Sequence, residues 1–105
     1  MSLRVESFPR ADSDLAEQHG WYLEQADLEI ADSYPKAFDA TVAVLVLHPS
    51  LGRPRKFRDP SLAGLRSYPL KAPYDKHFIF YRANLTTLGI VRVMHGARDI
   101  LRRLL

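Results

Sequence analysis

Cysteine is absent from this chain of 105 residues, which excludes a disulfide scaffold, thiol catalysis and a cysteine zinc site. Apolar runs of membrane-spanning length are missing as well, and no stretch has the layout of a signal peptide. The expected location is therefore the cytoplasm, with no membrane partner. His19, His48 and His77 lie far apart without ligand spacing, so neither a metal nor a cofactor is expected.

What is present describes an ordinary globular chain. Hydrophobic residues make up 47% and charged residues 26%, too apolar for a disordered protein. The length suits one domain over residues 1–105, with a core large enough to fold without a metal. The net charge of +3 conceals an asymmetry: residues 1–52 carry three basic against nine acidic side chains, a balance of −6, and residues 53–105 carry twelve against three, a balance of +9. One face should then carry a positive field, suited to an acidic partner, either nucleic acid or an acidic protein segment, or else simply a solvated basic surface.

The segment Phe78 to Asp99 organises the rest. Phe78 to Arg82 is aromatic and β-branched, and Ile90 to His95 alternates with period two, so both read as strands. Asn84, Thr86, Thr87 and Gly89 supply turn chemistry between them. Leu3 to Phe8 reads as a short strand ended by Pro9 that joins this sheet. A helix follows, capped by Asp12 or Ser13, with Asp14 and Glu17 favourable to its dipole. Leu15, His19, Tyr22 and Ala26 form its apolar stripe, widened by Ala16 and Leu23, and Gly20 suggests close packing against a neighbour.

A second helix starts at Asp27 and runs to about His48, where Pro49 stops it, with Leu28, Ala31, Tyr34, Phe38, Val42 and Leu45 at helical spacing. Pro35 should kink or break it near Ala31 to Tyr34. The run ATVAVLVL, Ala40 to Leu47, could pass for a buried strand, but a strand there would leave only one cover for the sheet, so a helix is preferred. Ala43, Val44, Val46 and Leu47 cannot then all face the core, and an exposed apolar patch should result. Pro49 to Pro60 reads as a loop rich in basic residues, Arg53, Arg55, Lys56 and Arg58, open to a solvated role or a phosphate or partner contact. Leu65 to Leu70 is a strand, the next residues a turn, and Ile100 to Leu105 a short helix capped by Asp99.

Four motifs together carry a resemblance: LGRPR at Leu51 to Arg55, GLRSYP at Gly64 to Pro69, FIFYR at Phe78 to Arg82, and GIVRVMHGARD at Gly89 to Asp99. In this combination the chain resembles the RelE/ParE superfamily of toxins from type II toxin–antitoxin systems, most closely its ParE-like branch, often labelled plasmid stabilisation proteins. The resemblance implies an α+β fold of order β-α-α-β-β-β(-α), in which an N-terminal helical hairpin covers a small, largely antiparallel sheet. It also implies a cytosolic toxin neutralised by a cognate antitoxin.

The superfamily holds two chemistries. RelE-like members cut messenger RNA on the ribosome with basic and tyrosine side chains that neutralise charge at the scissile phosphate. Where they carry an important arginine this chain has Phe78, and where they carry two strand lysines only Arg66 and Lys71 are basic. Arg98 matches a RelE-like functional arginine but belongs equally to the ParE-like HGARD motif. Arg66, Lys71 and Arg98 are thus the only catalytic candidates. ParE-like members are associated with binding and poisoning DNA gyrase, which needs no catalytic residue. Candidate contacts to a target or partner are Arg66, Arg82, Arg92, His95, Arg98 and Asp99. His95 is open to a general-base or a structural role, and Asp99 to a cap or a contact. Val44, Val46 and Leu47 form the candidate patch for the antitoxin or for a homodimer.

Overall fold

A computed structural model describes residues 3–57 and 60–96. Arg58, Arg98, Asp99 and the expected terminal helix lie outside the described residues. The order is β1 (Arg4–Ser7), α1 (Pro9–Gln25), α2 (Leu28–Leu47), β2 (Arg53–Pro54), a single 3-10 turn (Pro60–Leu62), β3 (Arg66–Pro69), β4 (His77–Ala83) and β5 (Thr87–His95). The strands form one mixed sheet in the order β1-β5-β4-β3-β2, with β1 parallel to β5 and every other pair antiparallel. The α+β fold is the one expected, and β2 is an addition within the segment read as loop.

Pro9 ends β1 but begins α1 directly, so the helix starts ahead of Asp12 and Ser13. Proline suits this first position because its missing N–H would have no intrahelical partner there. Ala11 is fully buried, and Leu15 and Tyr22 pack against the core from the same stripe, while Leu23 is exposed. Gly20 makes no close approach: a Cβ added there would meet nothing within 4 Å. At the start of α2 the Asp27 carboxylate accepts the Ile30 N–H at 2.9 Å, a cap worth about 1 kcal/mol.

Pro35 does not break α2, which runs unbroken from Leu28 to Leu47. The proline removes one backbone donor, at a cost of about 3 kcal/mol in a helix interior. Ala31, Tyr34 and Ala37 on either side of it are buried, so tertiary packing holds the helix through the defect. Thr41, Val42 and Leu45 continue the buried stripe, whereas Leu28 is exposed. The valine-rich run is helical, and its outer side chains Val44 and Leu47 face solvent, with Val46 partly buried against the core.

The helices cover the sheet face that carries Ile79, Tyr81, Leu88, Ile90 and Val93. Phe80 and Met94 on the other face pack with Leu65, Phe57 and Leu62 from the segment around the 3-10 turn. The β4–β5 ladder changes register between Phe80 and Tyr81, which pair with Arg92 and Ile90, so Val91 drops out as a bulge. Tyr81 closes the end of α2 onto the sheet. Its hydroxyl donates to the Pro49 carbonyl at 2.7 Å and accepts the Gly52 N–H at 2.8 Å. Glycine is required at 52 because a Cβ would run into the Tyr81 ring.

Candidate functional site

β1 is shorter than β5, and the mismatch places α1 against the sheet edge. The last link along that edge is the Phe8 N–H to the Ile90 carbonyl, 3.0 Å. Beyond it the Asp14 carboxylate takes over, accepting the Val93 N–H at 3.0 Å and binding Arg92 through Nε at 2.8 Å and Nη2 at 3.0 Å. A side chain thereby satisfies an edge donor that would otherwise invite another strand. The pair is largely dry, with side-chain exposures of 14% for Arg92 and 12% for Asp14. The hydrogen bonds that Arg92 donates to Asp14, against the opposing effect of burial, hold its guanidinium above its usual pKa. Asp14 thus lies beyond the first turn of α1, where the acidic residue is Asp12, and its role is to hold Arg92 inside the fold.

Next to this pair, α1 and the paired ends of β4 and β5 enclose a cleft of about 360 Å³ lined by Glu17, Gln18, Trp21, Tyr22, His77 and His95. His77 and His95 stand opposite each other in the ladder, their rings edge to face at 4.7 Å. His77 is 1% exposed, and its Nε2 lies 2.9 Å from the Tyr22 hydroxyl. Its Nδ1 is buried with no partner among the described residues. Burial first, and the neighbouring His95 second, push the His77 pKa down from 6.5 to about 4, so the ring is neutral at pH 7. Tyr34 and Tyr74 back it, with Tyr34 5.0 Å from the imidazole and 5.4 Å from Tyr74. Burial raises the Tyr34 phenol above its usual range, and Tyr22 is raised for the same leading reason. A neutral imidazole hydrogen-bonded to a neutral phenol can exchange hydrogen bonds with a ligand, but among the described residues no activated nucleophile lines the cleft.

The basic candidates among the described residues do not converge. Arg66 stands opposite Tyr81 in the β3–β4 ladder, and its Nη1 donates to the carbonyls of Ser50 at 3.2 Å and Gly52 at 2.8 Å, tying the end of α2 to the sheet. Arg82 follows Tyr81 and faces Gly89 at the hairpin end of β4, where alternation puts it on the other side of the sheet from Arg66. His95 lies at the opposite end of the same ladder. Lys71 follows β3, and its backbone N–H donates to the Thr41 hydroxyl at 3.0 Å. Tyr74 and Tyr81 are buried in the core and Tyr68 is half-buried beside it. Among the described residues no group of three or more histidine, aspartate or glutamate side chains could hold a metal ion.

The apolar candidates do share a place. Ala40, Thr41 and Val44 of α2 face Tyr68, Pro69, Leu70 and Lys71 across a groove of about 330 Å³. β2 pairs only with Arg66 and Ser67, so among the described residues the outer edge of β3 at Tyr68 and Pro69 has no neighbouring strand. Val44 lines this groove, Leu47 is 70% exposed one turn further along α2, and Val46 turns inward. Sequence reasoning missed the Trp21, Tyr22 and His77 cleft. Tyr22 and His77 are 55 positions apart, and neither belongs to a motif that would join them.

The model of the ParE toxin family, described as the ParE toxin of the type II toxin–antitoxin system parDE, matches residues 5–100. No curated protein is significantly similar in sequence. Among solved structures, the chromosomal ParDE system from P. aeruginosa superposes with a TM-score of 0.71 at 18% identity, covering 90% of this chain and 97% of that one. The RelBE2 toxin–antitoxin complex from Mycobacterium tuberculosis gives 0.59 at 21% identity, covering 90% and 99%. These likenesses show a shared fold, and the match over residues 5–100 establishes the rest: this chain belongs to the ParE toxin family of type II toxin–antitoxin systems.

Proposed function

We propose that this toxin acts by binding DNA gyrase and stabilising its cleaved-DNA intermediate, and that a cognate antitoxin holds it inactive. The observation that carries the first part is the dispersal of the basic side chains among the described residues. Cutting RNA requires cationic and proton-transferring groups around one phosphate. Here Arg66 is spent on two backbone carbonyls and Arg92 on Asp14, while Arg82 and His95 stand at opposite ends of the β4–β5 ladder. A surface that works by binding needs no such convergence. Family membership supports the choice, and the basic second half of the chain gives the surface its charge.

The groove between α2 and β3 is the place we assign to the antitoxin. It joins an apolar wall carrying Val44 to a strand edge at Tyr68 and Pro69, so a partner segment can bury side chains and pair its backbone together. The two solved structures named above are described as toxin–antitoxin systems, which supports an antitoxin partner.

Pulse labelling of DNA and protein synthesis in bacteria after inducing this chain alone tests the first part. Early loss of DNA synthesis with translation intact is expected. Early loss of translation would instead point to messenger cleavage and to Arg66, Lys71 and Arg98. Normal growth would leave a protein whose role is confined to its antitoxin complex.

A further inference from the structure

We infer that the cleft between α1 and the ends of β4 and β5 is a receptor for an arginine side chain presented by a protein partner. Its size comes first. About 360 Å³ lies at the low end of ligand pockets and suits one long side chain. The walls come second. Trp21 sits at the rim, 56% exposed, with the Tyr22 ring edge-on to it at 5.3 Å and 83°. An exposed tryptophan beside a tyrosine offers a flat π face for a planar cation.

Charge and hydrogen bonding then select the guest. Among the described residues Glu17 is the one carboxylate lining the cleft, and no lysine or arginine lines it. The neighbouring Arg92 is neutralised by Asp14. Arg92 feels the Glu17 charge only as a lesser influence beside Asp14, so an anionic guest such as a phosphate would still meet Glu17 directly, whereas a cation gains. At the back wall stands His77, its Nε2 2.9 Å from the Tyr22 hydroxyl, and the neutral ring does not repel a cation. A guanidinium satisfies both demands together: it stacks on Trp21 and donates a pair of hydrogen bonds to Glu17. A lysine ammonium lacks the flat face and the fork. The inference is independent of the gyrase reading, because it specifies the chemistry of the guest and not the protein that carries it.

Trp21 is the chain's one tryptophan, so its emission reports occupancy directly. Full-length protein is titrated with Nα-acetyl-arginine amide, with the citrulline analogue, which keeps the plane and loses the charge, and with adenosine monophosphate. The expected result is a saturable change with the arginine amide alone, weakened about fivefold or more in Glu17→Gln. Circular dichroism confirms that this surface variant is folded, and the His77 imidazole resonances should shift along the same titration. No saturable response to the arginine amide, an equal response to the citrulline analogue, or saturation by the nucleotide in its place would each overturn the inference.

Discussion

Protonating His77 should loosen this protein well above the pH at which its carboxylates are neutralised. The folded protein holds the ring neutral with a pKa near 4, against 6.5 for an exposed histidine, because burial and His95 both oppose the charged form. The unfolded chain therefore binds more protons than the folded one between those two values, and stability rises with pH across that window. The contribution is complete above pH 6.5 and is lost as the pH falls towards 4. The full displacement corresponds to about 3 kcal/mol, of which about 2 kcal/mol should be gone at pH 5. The groups facing the ring are Tyr22, Tyr34 and His95, and both tyrosines stay neutral throughout. Urea unfolding followed by circular dichroism at a series of pH values measures the slope, and a His77→Phe variant removes the His77 part of it. A His77 resonance titrating near 6.5, or equal slopes in the two proteins, would refute the reasoning.

Three further perturbations follow from contacts in the fold. Gly52→Ala drives a methyl into the Tyr81 ring and should lower stability by about 1–3 kcal/mol, read as a reduced urea midpoint. Asp14→Ala leaves Arg92 partly buried without its partner and the Val93 N–H without its acceptor. We expect a loss of about 2–3 kcal/mol, part of it recovered by Arg92→Leu in the double variant, which a thermodynamic cycle checks. Val44→Lys combined with Leu47→Lys changes two solvent-facing positions of α2, so the circular dichroism melt should hold while antitoxin binding or dimerisation weakens. Unchanged assembly by light scattering would remove that patch from consideration.

The fold was legible where one segment carried its own signal. The strand at Ile90 to His95, the helical spacing of Ala31, Tyr34, Val42 and Leu45, and the Asp27 cap each survive in the structure, but strict alternation stops at the Val91 bulge: Ile90 shares a face with Val93, and Val91 shares the other with Met94. The errors arose where tertiary packing overrides local preference. Pro35 lies inside an unbroken helix because buried neighbours on both sides hold it, and Gly20 lies in open space although glycine in a helix suggested a close neighbour. The start of α1 was misplaced because Pro9 can end a strand and begin a helix alike. The candidate site was less legible still. Whether Arg66, Arg82 and Arg92 share a surface depends on the register and on the bulge at Val91, and neither is written in any one segment. The meeting of Tyr22 with His77, and of Asp14 with Arg92, spans most of the chain and leaves no local trace.

The action proposed for this toxin is to hold gyrase on cleaved DNA. Purified toxin incubated with gyrase, ATP and supercoiled plasmid, then stopped with detergent and protease, tests it most directly. Linear plasmid that depends on the toxin, and that disappears when the cognate antitoxin is added first, is the predicted result. Intact plasmid throughout, with messenger RNA cut when the same toxin meets translating ribosomes, would contradict it.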